Sequence, residues 1–303
     1  MHSITRKTVT TLAATTLAAS FVATAHADVV HQWDAANDTA GDGMWEDTGS
    51  EADTNFDASF RDTSRNAMTS YSADAVSGSA TNFTHAYTFT THGADNDFAQ
   101  SAEWGDDTPA GNPISGLAGS NTSWEVWFKP DAFLFDEAEP VAQTLFSFGG
   151  GKGLAMYVYG NAVGVSAGKD GSGSPITLAS GDVSSNSDFI QGVLTIDDET
   201  GDLTSLYING SLVDTAIIDG TLDYSGPDVS GIGRNHQAGG GDNPGGINGG
   251  DFAGQIARIN IHDTALSAAE VEANYLAVIP EPATLALVGL GGLMLAGRRH
   301  RTA

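Results

Sequence analysis

"VLTIDDETGDLTSLYINGSLVDT", residues 193–215, is the stretch from which the fold is read. Three apolar-rich runs alternate with polar residues at period two, the spacing of β-strands. Two turns separate them. Asn209-Gly210 is a type I′ hairpin signal, because both central residues of that turn need positive φ. Asp197 to Asp202 (DDETGD) is a longer, polar hairpin turn. A strand–turn–strand–turn–strand meander follows.

The pattern extends outward in both directions. Trp124, Val126 and Phe128 alternate with Glu125, Trp127 and Lys129. Strands are predicted at 83–90, 143–149, 153–160, 162–168, 189–197, 203–210, 211–218 and 254–263. Many short strands separated by Gly, Asn and Asp predict an all-β, two-sheet jelly-roll sandwich. One short helix closes it: Ser267 and Glu270 form a capping box at the head of SAAEVEANYLA. Residues 35–80, rich in Asp, Thr, Ser and Asn, read as irregular loops with at most one strand. No linker divides the chain and no period repeats.

Charge limits the partners. The 303 residues carry 12 Lys+Arg against 38 Asp+Glu, a net charge of −26. Such a surface repels phosphate backbones, so nucleic acid is excluded, as are anionic membranes. Cysteine is absent, which removes disulfides, cysteine catalysis and thiolate metal sites.

Both ends read as addresses. Arg6 and Lys7, an apolar stretch to Ala23 and the small pair Ala25 and Ala27 form a signal peptide over 1–27, cut by signal peptidase before Asp28. At the other end Pro280-Glu281-Pro282 breaks any entering helix and leaves an accessible peptide. About 15 uncharged residues (283–297) follow, short of the roughly 20 of a full span. Arg298, Arg299 and Arg301 then mark a cytoplasmic end. Pro-Glu-Pro, a short membrane helix and a basic tail, in that order over 280–303, resemble the PEP-CTERM sorting signal of Gram-negative bacteria. The resemblance implies an exosortase-type enzyme as partner. It also implies export through the inner membrane, a transient C-terminal anchor, and a final place on the cell surface or in the extracellular matrix. Loss of both ends leaves seven basic residues against 38 acids, a net charge of about −31.

Between the two addresses, residues 28–279 are read as one domain. SWEVWFKP (123–130), LFSFGGGKGLAMYVYG (145–160), the meander, GIGRNH (231–236) and FAGQIARINIHDTALSAAEVEANY (252–275) resemble a laminin-G-like domain of the concanavalin A-like lectin/glucanase superfamily. The resemblance implies a jelly roll, and it covers 120–276 well and 28–119 poorly. Ala257 and Arg258 stand where the family strand carries an acidic residue.

The chemistry points to binding. Glucanases of this superfamily place paired carboxylates on one strand. Here Glu51 and Asp53, and Glu137 and Glu139, lie in loop-like sequence. Gly164-Val165-Ser166-Ala167-Gly168 matches a hydrolase elbow, but that motif needs a strand-to-helix turn, and KDGSGSP follows. No catalytic residue is assigned. The mature histidines show no metalloprotease spacing. Calcium takes oxygen ligands on flexible loops. The 239–251 loop offers Asp242, Asn243 and Asp251 among glycines, and 33–43 offers Asp34, Asn37, Asp38 and Asp42. Trp33, Trp45 and Trp104 are the candidate aromatic faces for stacking on an extracellular polysaccharide. The expected function is therefore non-catalytic glycan or matrix binding. A matrix protein without a specific ligand and a divergent glycoside hydrolase are the alternatives.

Overall fold

A computed structural model describes residues 27–38, 41–51, 57–61, 71–89, 101–104, 121–131, 142–148, 154–167, 176–197, 203–217, 230–233, 249–250 and 252–279. In chain order the strands are β1 (Val29–Asp34), β2 (Met44–Trp45), β3 (Ala58–Arg61), β4 (Asp74–Ala75), β5 (His85–Phe89) and β6 (Ser101–Trp104). Then come β7 (Thr122–Pro130), β8 (Ala142–Phe148), β9 (Leu154–Tyr159), β10 (Ala162–Ala167), β11 (Ile176–Ala179) and β12 (Ile190–Asp197). The last are β13 (Leu203–Ile208), β14 (Ser211–Ile217), β15 (Ser230–Ile232), β16 (Gly249–Gly250) and β17 (Gly254–His262), with one helix, α1 (Ala268–Val278).

Every strand expected from the alternating pattern is present. Asn209 and Gly210 have φ of 50° and 78°, as a type I′ turn requires. The expectation of at most one strand between residues 35 and 80 is corrected: β2, β3 and β4 all form there. They are two to four residues long, too short for periodicity to show. Distant partners hold them, β3 on β6 and β4 on β5.

Two sheets result. The first runs β14-β13-β12-β7-β17-β5-β4, and β1 joins it along the second half of β17. The other runs β11-β10-β9-β8-β15-β6-β3-β2, with β16 parallel to β8. Alternate residues fill the space between them. Trp124, Val126 and Phe128 face inward from β7, and Trp124 stacks on Phe146 of the opposite sheet at 6.0 Å. Met156, Val165, Leu194, Ile208, Ile232 and Ile259 join this core.

The outward face of the first sheet is capped by α1. Ser267 accepts from the Glu270 backbone while the Glu270 side chain takes the Ser267 N–H, the capping box expected from sequence. Tyr275 stacks on Trp127 at 6.0 Å, and Phe83, Phe189 and Val278 complete a second apolar cluster. Next to it, under the same layer, lies a buried carboxylate. Glu125 accepts from Trp127 Nε1 at 2.8 Å, Gln191 Nε2 at 2.7 Å and Asn260 Nδ2 at 3.0 Å. His262 Nε2 stands 3.6 Å away. Burial pushes this carboxyl up, but the His262 ring and the amide donors outweigh it, and the net shift is downward.

Among the described residues no helix is long and apolar enough to cross a membrane. The signal peptide through Ala25 and the sorting segment from Pro280, Glu281 and Pro282 onward lie outside the described residues. Ala27 is described; it packs against Val193, Tyr207, Leu266 and Val271.

Candidate functional site

The second sheet carries the candidate site on its outward face. Inward residues identify that face by exclusion. Phe60, Ile232, Phe146, Leu154, Met156, Val165 and Leu178 all point into the core, so the residues between them point away. Register then aligns a single row across seven strands. Ser59 pairs with Glu103, Glu103 with Gly231, and Gly231 with Ser147. Ser147 pairs with Ala155, Ala155 with Ser166, and Ser166 with Thr177. At the usual strand spacing this row is about 29 Å long. From Gly231 to Ser166 the row's side chains are small, which makes that stretch a trough in the face; all four residues are buried, and Glu103 of β6 stands in the same row.

One large side chain flanks the trough. Tyr157 stands two residues from Ala155 on β9, facing the same way, and its ring lies over Gly164. A Cβ at Gly164 would sit 2.2 Å from the ring, so only glycine fits beneath it. Burial pushes the Tyr157 hydroxyl up to about 12, with Tyr159 adding to the shift, so it stays a neutral donor. Ser166 is fully buried, and among the described residues its Oγ has no hydrogen-bond partner. A buried hydroxyl left so costs about 1–3 kcal/mol.

Two of the residues expected to stack on a glycan are corrected. Trp33 and Trp45 are 0% exposed and belong to the inter-sheet core. Trp45 packs on Tyr87 at 4.8 Å and on Phe60 at 6.3 Å, so neither of its faces is free. Their physical reason is strand pairing. β1 lies on β17 and β2 on β3, which turns both indoles inward. Trp104 ends β6, paired with Ala58 and Ser230.

The acids of 33–43 do not converge. Asp34 accepts from Arg258 Nε at 2.8 Å and Nη2 at 2.5 Å, and Asp42 caps the Met44 N–H. Asp38 accepts from the Tyr87 hydroxyl. Arg258 of β17 thus draws its carboxylate partner from β1. His31 pairs with Asp47 at 2.7 Å in the interior. Among the described residues no three His, Asp or Glu side chains gather as a metal site. Asp242, Asn243 and Asp251 lie outside the described residues, as do Glu137 and Glu139.

The elbow-like Ser166 sits in mid-strand, with β9 on one side and β11 on the other. Among the described residues no histidine hydrogen-bonds its Oγ. Nucleophile activation needs a base within hydrogen-bond reach. The row itself was missed in the sequence because, Glu103 apart, its members are isolated small residues. Ser59, Ala155 and Ser166 each lie between two inward apolar residues, and only register reveals that they align.

Comparison with known proteins agrees with this architecture. The family model for the concanavalin A-like lectin/glucanases superfamily matches residues 103–272, and the PEP-CTERM protein-sorting motif matches 278–301. Among curated proteins, no sequence matches the chain. Among solved structures, the botulinum neurotoxin serotype D ligand binding domain in complex with N-acetylneuraminic acid is 13% identical, with a TM-score of 0.50 over 82% of this chain and 51% of that one. The serotype D/C binding domain gives 14% identity and 0.50 over 82% of this chain and 52% of its own. The chain therefore spans about half the length of these toxin domains. The CBM40 of Ruminococcus gnavus IT-sialidase, bound to alpha2,3 sialyllactose, is 17% identical with a TM-score of 0.45, over 65% of this chain and all of that one. With more than half of its length matched by the family model, this chain, which ends in a PEP-CTERM sorting motif, belongs to the concanavalin A-like lectin/glucanase superfamily.

Proposed function

We propose that this is an exported, non-catalytic glycan-binding protein whose ligand lies along the Ser147–Ala155–Ser166 row. The observation that carries the reading is the hydroxyl-bearing stretch from Ser147 to Ser166, with a neutral tyrosine at its side and a serine in its floor that has no hydrogen-bond partner among the described residues. Solved structures of similar fold include a toxin domain in complex with N-acetylneuraminic acid, which supports a sugar ligand. The charge of −26 disfavours an acidic sugar, so the ligand is a neutral polysaccharide. Calorimetry with neutral glucans, mannans and galactans tests this. Ala155→Leu fills the trough and is expected to weaken binding at least about tenfold, the size of one lost contact of ~1.4 kcal/mol. Ser166→Ala removes one hydrogen bond and is expected to weaken it by roughly three- to tenfold. Unchanged affinity in both variants would disprove the site. Failure of every neutral polysaccharide to bind would favour a passive matrix protein.

Signal peptidase and an exosortase-type enzyme complete the reading. Cleavage after Ala27 releases the leader just before β1 begins at Val29, so the fold keeps its first strand. Intact-mass measurement on protein from the native host is expected to show loss of residues 1–27 and of the tail beyond about 282. Recovery of the full C-terminus in the medium would contradict it.

Calcium at the 239–251 loop is a further part of the proposal. Asp242, Asn243 and Asp251 form an all-oxygen donor set suited to that ion. The loop's base is closed, since the Phe252 N–H donates to the Gly233 carbonyl at 2.8 Å. Calcium at about 100 times its Kd is expected to add roughly 2.7 kcal/mol of stability. Asp242→Ala and Asp251→Ala should abolish the rise in melting temperature, and an identical melting curve in excess chelator removes the claim.

A further inference from the structure

Large apolar side chains are exposed at few places among the described residues. They are Tyr159, Leu212, Val213 and Ile217, and Leu276 of α1. Three of the five lie on β14, an end strand of its sheet. The turn that opens β14 packs on α1: a Cβ at Gly210 would lie 3.2 Å from Glu272 Cα and 3.2 Å from Tyr275 Cβ. Leu212 pairs with Tyr207 and Ile217 with Leu203, which puts both on the side of the sheet that α1 covers, and Leu276 follows Tyr275 on α1.

The same junction is where the chain leaves the domain. The sorting motif begins at residue 278, the last residue of α1. That helix end is fixed. Val278 is buried, and its carbonyl accepts from the Asn82 N–H at 2.9 Å. Asn82 Nδ2 donates to the Ala277 carbonyl at 3.3 Å, and the Ile279 N–H donates to Tyr275 at 3.2 Å. The matched sorting motif follows directly on α1 in the sequence. Five residues carry the chain from Val278 to the apolar segment at Ala283, a reach of at most about 17 Å. An enzyme that sits in the membrane and cuts at 280–282 works within that reach of the end of α1, close to the turn that opens β14.

We propose that the face formed by Leu212, Val213, Ile217 and Leu276 docks on the membrane-embedded enzyme that removes the tail. This rests on the sorting reading above. The acidic charge of the domain opposes anionic headgroups and a second copy alike, whereas an uncharged apolar contact with a protein is unaffected by it.

The test is the rate of tail loss in the native host, followed by intact mass for the full chain. Leu212→Ser with Ile217→Ser, and Leu276→Ser separately, are expected to slow tail loss by roughly fivefold or more while the melting temperature stays unchanged. A Gly-Ser spacer of about 15 residues after Ile279 should uncouple the two, so that wild type and variants are cut at one slow rate. Wild-type rates in the variants without the spacer overturn the docking surface. A tail kept by the wild type, as by a Glu281→Ala control, overturns the sorting reading itself. Slowed cutting that tracks lost binding to neutral phosphatidylcholine vesicles, or lost self-association, assigns the face to lipid or to a second copy and overturns the enzyme as its occupant.

Discussion

Trp45→Ala is expected to destabilise the domain by about 3–5 kcal/mol, the range for an aromatic deleted from a packed core. Its indole is wholly enclosed by Tyr87, Phe60 and the rest of the inter-sheet core. Removal leaves a cavity that two pleated sheets cannot collapse around, because their spacing is set by the other core residues. For a domain of this size the melting temperature should fall by about 6–20 °C. Among the described residues Trp45 Nε1 has no hydrogen-bond partner, so the loss is chiefly one of packing. Trp45→Phe should consequently recover most of the stability, since it keeps an aromatic ring and removes the unpaired N–H. Glycan affinity measured on the folded fraction should not change in either variant. A loss of affinity at constant melting temperature would restore Trp45 as a stacking platform.

Glu125→Leu is the second large effect, expected at about 3–5 kcal/mol. Three N–H donors, from Trp127, Gln191 and Asn260, would be left without an acceptor under α1. Such a loss exceeds the hydrophobic gain from leucine, because each stranded donor costs about 1–3 kcal/mol. The same carboxylate gives stability a pH dependence. Its folded-state value lies below the ordinary 4.5, so the unfolded chain binds the proton more readily. The contribution is complete above the ordinary carboxylate range and disappears as pH falls through the lowered value. Denaturant titrations of wild type and Glu125→Gln across that range should converge at low pH, where both side chains are neutral. Parallel curves with a constant gap would show that Glu125 is not ionised in the fold.

The PEP-CTERM tail and the two-layer fold were both legible in the sequence, and for a common reason. Each depends on neighbours along the chain. Alternation at 124–129 gives a strand because side chains flip at every residue. Asn209-Gly210 gives a turn because of local φ. Ser267 and Glu270 start α1 by bonding to each other's backbone. Charge and hydropathy order mark the sorting segment, which the motif match at 278–301 recovers.

What the sequence alone left open is which face each residue meets. Alternation assigns residues to two sides but does not say which side is covered. Trp33 and Trp45 looked like surface aromatics among Asp and Thr; pairing of β1 with β17 and β2 with β3 put them inside. Glu125 read as the polar side of an amphipathic strand; α1, more than a hundred residues later, covers it. The row from Ser59 to Thr177 exists only through long-range register, strand against strand. A one-residue slip at any of those pairings would send its serines into the core and break the row. Local chemistry thus determined the strands, the turn, the helix cap and the addresses, and register, a property of the assembled sheet, decided the candidate site.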